Sequence, residues 1–129
     1  KPMRVEPMSF NPIELGETYQ INNINFETNS SDLSIQVVHI LDEFIEFLTE
    51  NPSVKVAIYG HTDNIGDAIA NLVLSKERSQ SVKNYLILEG IGANRLESDG
   101  FGANKPIASN KTELGRAKNR RTEFVILSK

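Results

Sequence analysis

The hydrophobic period of this chain changes from helical to strand-like at one dipeptide, Asn51-Pro52. Before it, Leu33, Val37, Ile40, Leu41, Phe44 and Leu48 recur on one face of a helix. After it, Val54, Val56 and Ile58 alternate with Lys55, Ala57 and Tyr59, the pattern of a strand, which ends at Gly60. The helix stops at about residue 50, because proline lacks an N–H and pushes the residue before it out of helical geometry. A chain that makes this switch more than once has to bury helices against a sheet.

The switch does recur. Asn29-Ser30-Ser31 offers an N-cap for the first helix. Upstream, Tyr19, Ile21, Ile24 and Phe26 alternate, with a break at Asn22-Asn23, and predict one or two short strands between Glu17 and Phe26. Downstream, a polar loop from His61 to Asp67 leads into a helical stretch running to Glu89, stopped by Gly90. Arg95–Asp99 reads as a third strand, followed by a glycine-rich loop over 100–106 and a short helix over Glu113–Asn119. Thr122, Phe124 and Ile126 alternate in a last strand. The predicted class is α+β, ordered β-α-β-α-β-α-β, with the helices packed on one face of a mixed four-stranded sheet. The length of 129 residues suits a single domain over 15–129. Residues 1–14, with Pro2, Pro7 and Pro12, read as a linker or extended N-terminal segment.

Charge is unevenly spread. No Lys or Arg falls between Arg4 and Lys55, a window holding nine acids, which leaves 8 of the 17 acids with all 14 bases elsewhere. That split excludes a uniformly basic nucleic-acid binder and a uniformly acidic tail. The absence of cysteine excludes a disulfide framework, Cys-ligated zinc and a thiol nucleophile. No apolar run is long enough to cross a bilayer as a helix. The chain begins at Lys1 without a signal peptide and reads as an excised domain, whose targeting signal would lie outside it.

One position stands out chemically. Leu74, Val82, Tyr85 and Leu86 form the apolar stripe of the second helix, and Arg78 sits on that stripe, four residues from both Leu74 and Val82. An arginine keeps its proton, so an inward-facing one needs an anionic partner, and Asp63 in the preceding loop is the candidate. Two readings stay open: a buried salt bridge that orders the loop, or two charges offered to a ligand bearing one carboxylate and one ammonium. His61 has only His39 as a second histidine, too little for a metal site. Asp63 with Asp67 or Glu77 would suit a glycoside-cleaving carboxylate pair, but nothing fixes their separation. No serine-elbow motif is present. The run Gly115–Arg121 is basic yet lacks the interleaved aromatics of a nucleic-acid surface.

Five ordered motifs then carry a resemblance. They are Phe26-Glu27-x-Asn29-Ser30, Gly60-His61-Thr62-Asp63-x-x-Gly66, Asn71-x-x-Leu74-Ser75-x-x-Arg78, Gly100-x-Gly102-x-x-x-Pro106, and Asn110-x-Thr112-x-x-Gly115-Arg116-Ala117-x-Asn119-Arg120-Arg121-x-Glu123. Together, over roughly residues 20–127, they resemble the OmpA C-terminal domain, a family that includes Pal lipoproteins and the periplasmic domain of MotB. Glu27 stands where an aspartate is frequent, and Ser79 where an alanine usually follows the arginine.

The resemblance implies a periplasmic, non-enzymatic module that binds the diaminopimelate of the peptidoglycan stem and tethers an outer-membrane or envelope protein to the cell wall. It needs no cofactor, metal or nucleic acid, and its anchor would come from the rest of the parent chain. By resemblance Asp63 and Arg78 hold the diaminopimelate, while Phe26, Asn29, Thr62, Asn71 and one of Arg120 or Arg121 complete the pocket. The alternative from another class is a peptidoglycan-processing hydrolase using the Asp63 region.

Overall fold

The computed structural model describes Thr18–Ile21 and residues 35–129. Along the chain run β1 (Thr18–Ile21), α1 (Ile35–Glu50), β2 (Lys55–His61), α2 (Ala68–Leu88), a 3-10 turn (Ala93–Arg95), β3 (Leu96–Gly100), α3 (Glu113–Asn119) and β4 (Arg121–Ser128). The expected N-cap of α1 at Asn29–Ser31, and Leu33, lie outside the described residues. The architecture is α+β. In the sheet the strands lie in the order β1-β4-β2-β3, with β4 antiparallel to both neighbours and β2 parallel to β3.

Register explains where the core sits. Val56 pairs with Ile126 and Ile58 with Phe124, so their side chains share one face. On that face lie Val37, Leu41, Phe44 and Leu48 of α1 and Val82 and Leu86 of α2, all buried. Phe44 packs on Phe124 with ring centroids 4.1 Å apart. The helix stop at Asn51-Pro52 is reinforced from a distance. Arg95 donates from Nη2 to the Leu48 and Asn51 carbonyls at 2.9 and 2.8 Å, and from Nε to that of Val54 at 3.0 Å. A cation thus gathers carbonyls at and just beyond the C-terminal end of α1, where the helix dipole is negative.

The face that α2 turns to the sheet differs from the expected stripe. Its buried residues are Ser75, Ser79, Val82 and Leu86, while Leu74, Arg78 and Tyr85 are only partly buried. The cause is close approach. Gly60 at the end of β2 and Gly100 at the end of β3 face the α2 backbone so tightly that a Cβ on either would overlap Ser75. Only a small side chain fits between helix and sheet there, so serine takes the inner position that hydrophobicity assigned to its neighbours. Arg78 is therefore moved from the core stripe to its rim. Tyr85 spans to α1 instead, donating to Asp42 Oδ1 at 2.7 Å.

Loop 107–110 is held by Asn119, which is fully buried. Its Oδ1 accepts from the N–H groups of Ile107 and Ala108, and its Nδ2 donates to the Ala108 carbonyl and to Asn110 Oδ1. The pairing of Arg121 with His61 places the C-terminal end of α3 beside the C-terminal end of β2.

Candidate functional site

The site forms where β2 ends. The Gly60 carbonyl accepts from Phe101 N–H and the Thr62 N–H donates to the Gly102 carbonyl, at 3.0 and 2.9 Å, so the loop after β2 stays paired with the loop after β3. Thr62 is buried and donates from Oγ1 to the Asp63 carbonyl at 2.8 Å. Asp63 Oδ1 accepts from Ile65 N–H at 3.0 Å, the turn an aspartate makes with the backbone two residues on. Asn71, in the first turn of α2, donates from Nδ2 to the Ile65 carbonyl at 2.9 Å. Asp67 caps the same helix by accepting from Ala70 N–H.

Charge then converges on Asp63. Arg120 donates from Nη1 to Asp63 Oδ2 at 2.6 Å and from Nη2 to Glu113 Oε2 at 2.6 Å. Side-chain exposure rises from 12% at Asp63 through 39% at Arg120 to 66% at Glu113, so the chain of charges runs from the interior outward. Arg78 adds a second cation. Its burial lowers its pKa, the field of Asp63 raises it, and that of Arg120 lowers it. Among the described residues Asp63 pairs directly with Arg120, and Arg78 is a second cation whose charge interacts with that of Asp63. Glu113 sits below the usual carboxylate range, held there by hydrogen bonds from Arg120 and then Arg116.

The structure therefore brings together Asp63, Thr62, Asn71, Arg78 and Arg120. Phe26 and Asn29 lie outside the described residues. Arg121 does not join them, because alternation along β4 sends it to the sheet face opposite the helices. There it donates to Glu123 Oε2 at 2.8 Å and to the Asn119 and Lys105 carbonyls, with its side chain 3% exposed. Glu113 was not foreseen, although its spacing of three to Arg116 and seven to Arg120 is the signal for a shared helical face.

His61 belongs to the Arg121 cluster. It pairs with Arg121 in register, and its Nε2 lies 3.1 Å from Glu123 Oε1. Phe101 stacks on it at 5.5 Å, and Lys105 Nζ lies 4.1 Å from the Phe101 centroid. His39, the other histidine, is exposed on α1.

Glu123 has its pKa drawn down to about 2, chiefly by the hydrogen bond to His61 and further by Arg121, against the opposing effect of burial. A carboxylate depressed in the fold contributes stability above its unfolded pKa and loses it as pH falls through the folded value. Stability is accordingly expected to fall by about 2 kcal/mol between about pH 4.5 and 2 on account of this residue. Denaturant unfolding across that range should show a steeper loss for the wild type than for Glu123→Gln. Parallel curves would assign the loss to other carboxylates.

A profile of the OmpA family matches residues 25–120, three quarters of the chain. The outer membrane protein Omp38 of Acinetobacter baumannii is 39% identical over 122 residues, covering 93% of this chain and 34% of that protein. The peptidoglycan-binding protein ArfA of Mycobacterium tuberculosis is 38% identical over 103 residues, covering 80% of this chain and 32% of that protein. The crystal structure of the peptidoglycan-associated lipoprotein from Burkholderia pseudomallei superposes with a TM-score of 0.73 at 30% identity, covering 80% of this chain and 87% of that one. The chain spans about half the length, or less, of these curated relatives. With the order of its strands and helices, the Asp63 loop and the profile match in agreement, the chain belongs to the OmpA family.

Proposed function

We propose that this domain binds peptidoglycan without cleaving it, gripping the diaminopimelate of the peptide stem and so anchoring an envelope protein to the cell wall. The observation that carries this reading is one nearly buried carboxylate, Asp63, with Arg78 and Arg120 disposed around it at the end of β2. The end of a diaminopimelate side chain is a zwitterion, with one carboxylate and one ammonium on the same carbon. Arg78 takes the carboxylate through its planar fork and Asp63 takes the ammonium. Thr62 and Asn71 hold the shape of the loop, and Phe26 and Asn29 complete the pocket. Names of relatives support the class: ArfA is called peptidoglycan-binding, and the Burkholderia protein peptidoglycan-associated. The domain acts on the periplasmic side of an outer-membrane or other envelope anchor, supplied by the rest of the parent protein.

The hydrolase reading has no observation in its favour. Asp67 is spent on capping α2, and Glu77 is exposed on that helix. Incubation with purified sacculi distinguishes the two readings. Binding without released muropeptides is expected, and released fragments would instead indicate hydrolysis.

The salt dependence of binding is expected to be shallow. A zwitterion meets one charge of each sign, so binding releases few counterions, unlike the steep fall produced by several phosphate contacts. Titration with diaminopimelate at two ionic strengths checks this. A steep decline would assign the holding to the basic surface as a whole.

A further inference from the structure

We propose that Glu113 determines ligand specificity: by sharing Arg120 with Asp63 it weakens that arginine's hold on the Asp63 carboxylate, and so keeps the pocket selective for ligands that carry an ammonium. The inference rests on the reading of Asp63 as the ammonium acceptor.

Both oxygens of Asp63 already have a partner. Its Oδ1 is committed to Ile65 N–H, and its Oδ2 already accepts from Arg120. An ammonium arriving at Oδ2 meets a guanidinium on the same oxygen, and like charges there repel. Glu113 relieves this conflict. It takes the other terminal nitrogen of Arg120 at the same 2.6 Å, so two carboxylates share one guanidinium.

Glu113 does not depend on Arg120 for its own position. Its Oε1 accepts from Arg116 Nε at 3.2 Å one helical turn on, and Arg116 Nη1 is itself tied to the Asn110 carbonyl at 2.9 Å. When a ligand ammonium takes Asp63, Arg120 keeps an anchored partner and no cation is left stranded. Loss of Glu113 removes one negative charge beside Asp63 and Arg120, which shifts the pocket toward anions.

Glu113 is well exposed, so its pairs add little to folding stability. Its effect is therefore read in selectivity. Diaminopimelate and pimelate share a carbon chain and two carboxylates and differ in their two amino groups. Calorimetric titration of wild type and Glu113→Gln with both is expected to show diaminopimelate weakened and pimelate unchanged or strengthened. The ratio of their affinities falls about fivefold or more. Adding Arg120→Gln to Glu113→Gln is expected to restore most of the ratio, because no arginine then covers Asp63.

An unchanged ratio, or equal losses for both ligands, would overturn the inference and leave Glu113 a structural residue of α3. So would a double variant as unselective as the single one. A wild type that shows no preference for diaminopimelate fails earlier, and refutes the assignment of Asp63 to the ammonium along with it.

Discussion

Asp63→Asn and Arg78→Ala are each expected to lower affinity for diaminopimelate about 10- to 100-fold, the worth of a charge-assisted hydrogen bond in a partly desolvated pocket. The two changes remove opposite charges, so their effects have separate signatures. Asparagine keeps an oxygen for the Ile65 N–H, and the turn at Asp63 survives. The charge that receives the ammonium is lost, and Arg120 falls back on Glu113. Arg78→Ala removes the fork for the carboxylate and leaves the contact between Asp63 and Arg120 in place. Asp63→Asn should therefore cost diaminopimelate more than pimelate, and Arg78→Ala should cost both. Calorimetry on the purified domain, with circular dichroism to establish folding, measures each loss. Undiminished binding by both variants would remove the site from this end of β2.

The largest effect on stability is expected at Gly60. A Cβ there overlaps the Ser75 carbonyl and stands 3.2 Å from its carbon, both of them backbone atoms that no rotamer change can clear. Gly60→Ala must lift α2 from the sheet, at a cost of about 3 kcal/mol, in the range of overpacked cores. The same displacement carries Arg78, less than one turn beyond Ser75, away from Asp63, so binding falls with stability. Gly66 is the internal comparison. It has φ of +90° and nothing within 4 Å of a built Cβ. Gly66→Ala is therefore expected to cost only about 1 kcal/mol, from backbone conformation alone. Chemical denaturation of the two variants separates steric from conformational loss. Equal costs would contradict the close approach of α2 to β2 and β3.

That close approach also explains why the sequence reading put Arg78 on the wrong part of its helix. Apolar periodicity placed Arg78 on the buried stripe, whereas Ser75 and Ser79 occupy it. A hydrophobicity pattern ranks leucine and tyrosine above serine for burial, and nothing local to α2 signals that two glycines on distant strands demand a small residue. The choice between Arg120 and Arg121 was equally closed to sequence. Adjacent residues at a helix-to-strand junction point to opposite sides, but which side faces Asp63 depends on pairing with β2. Arg95 was missed for a related reason. It acts on carbonyls far away in the chain, where spacing carries no label.

What the sequence by itself determined was local. The Asn51-Pro52 stop ends α1 at Glu50, the short helix expected over Glu113–Asn119 forms there, and the alternation of Thr122, Phe124 and Ile126 appears in β4. These depend on steric and hydrogen-bonding preferences within a few residues, which any short window contains. Tertiary structure alone decided which cation stands on Asp63. Glycine-permitted contact between α2 and the sheet moved Arg78 to the rim, and β4 registry turned Arg121 away and left Arg120 at the carboxylate. Those outcomes follow from Coulomb interaction and excluded volume between segments that are remote along the chain, and such forces act only once the fold has brought the segments together.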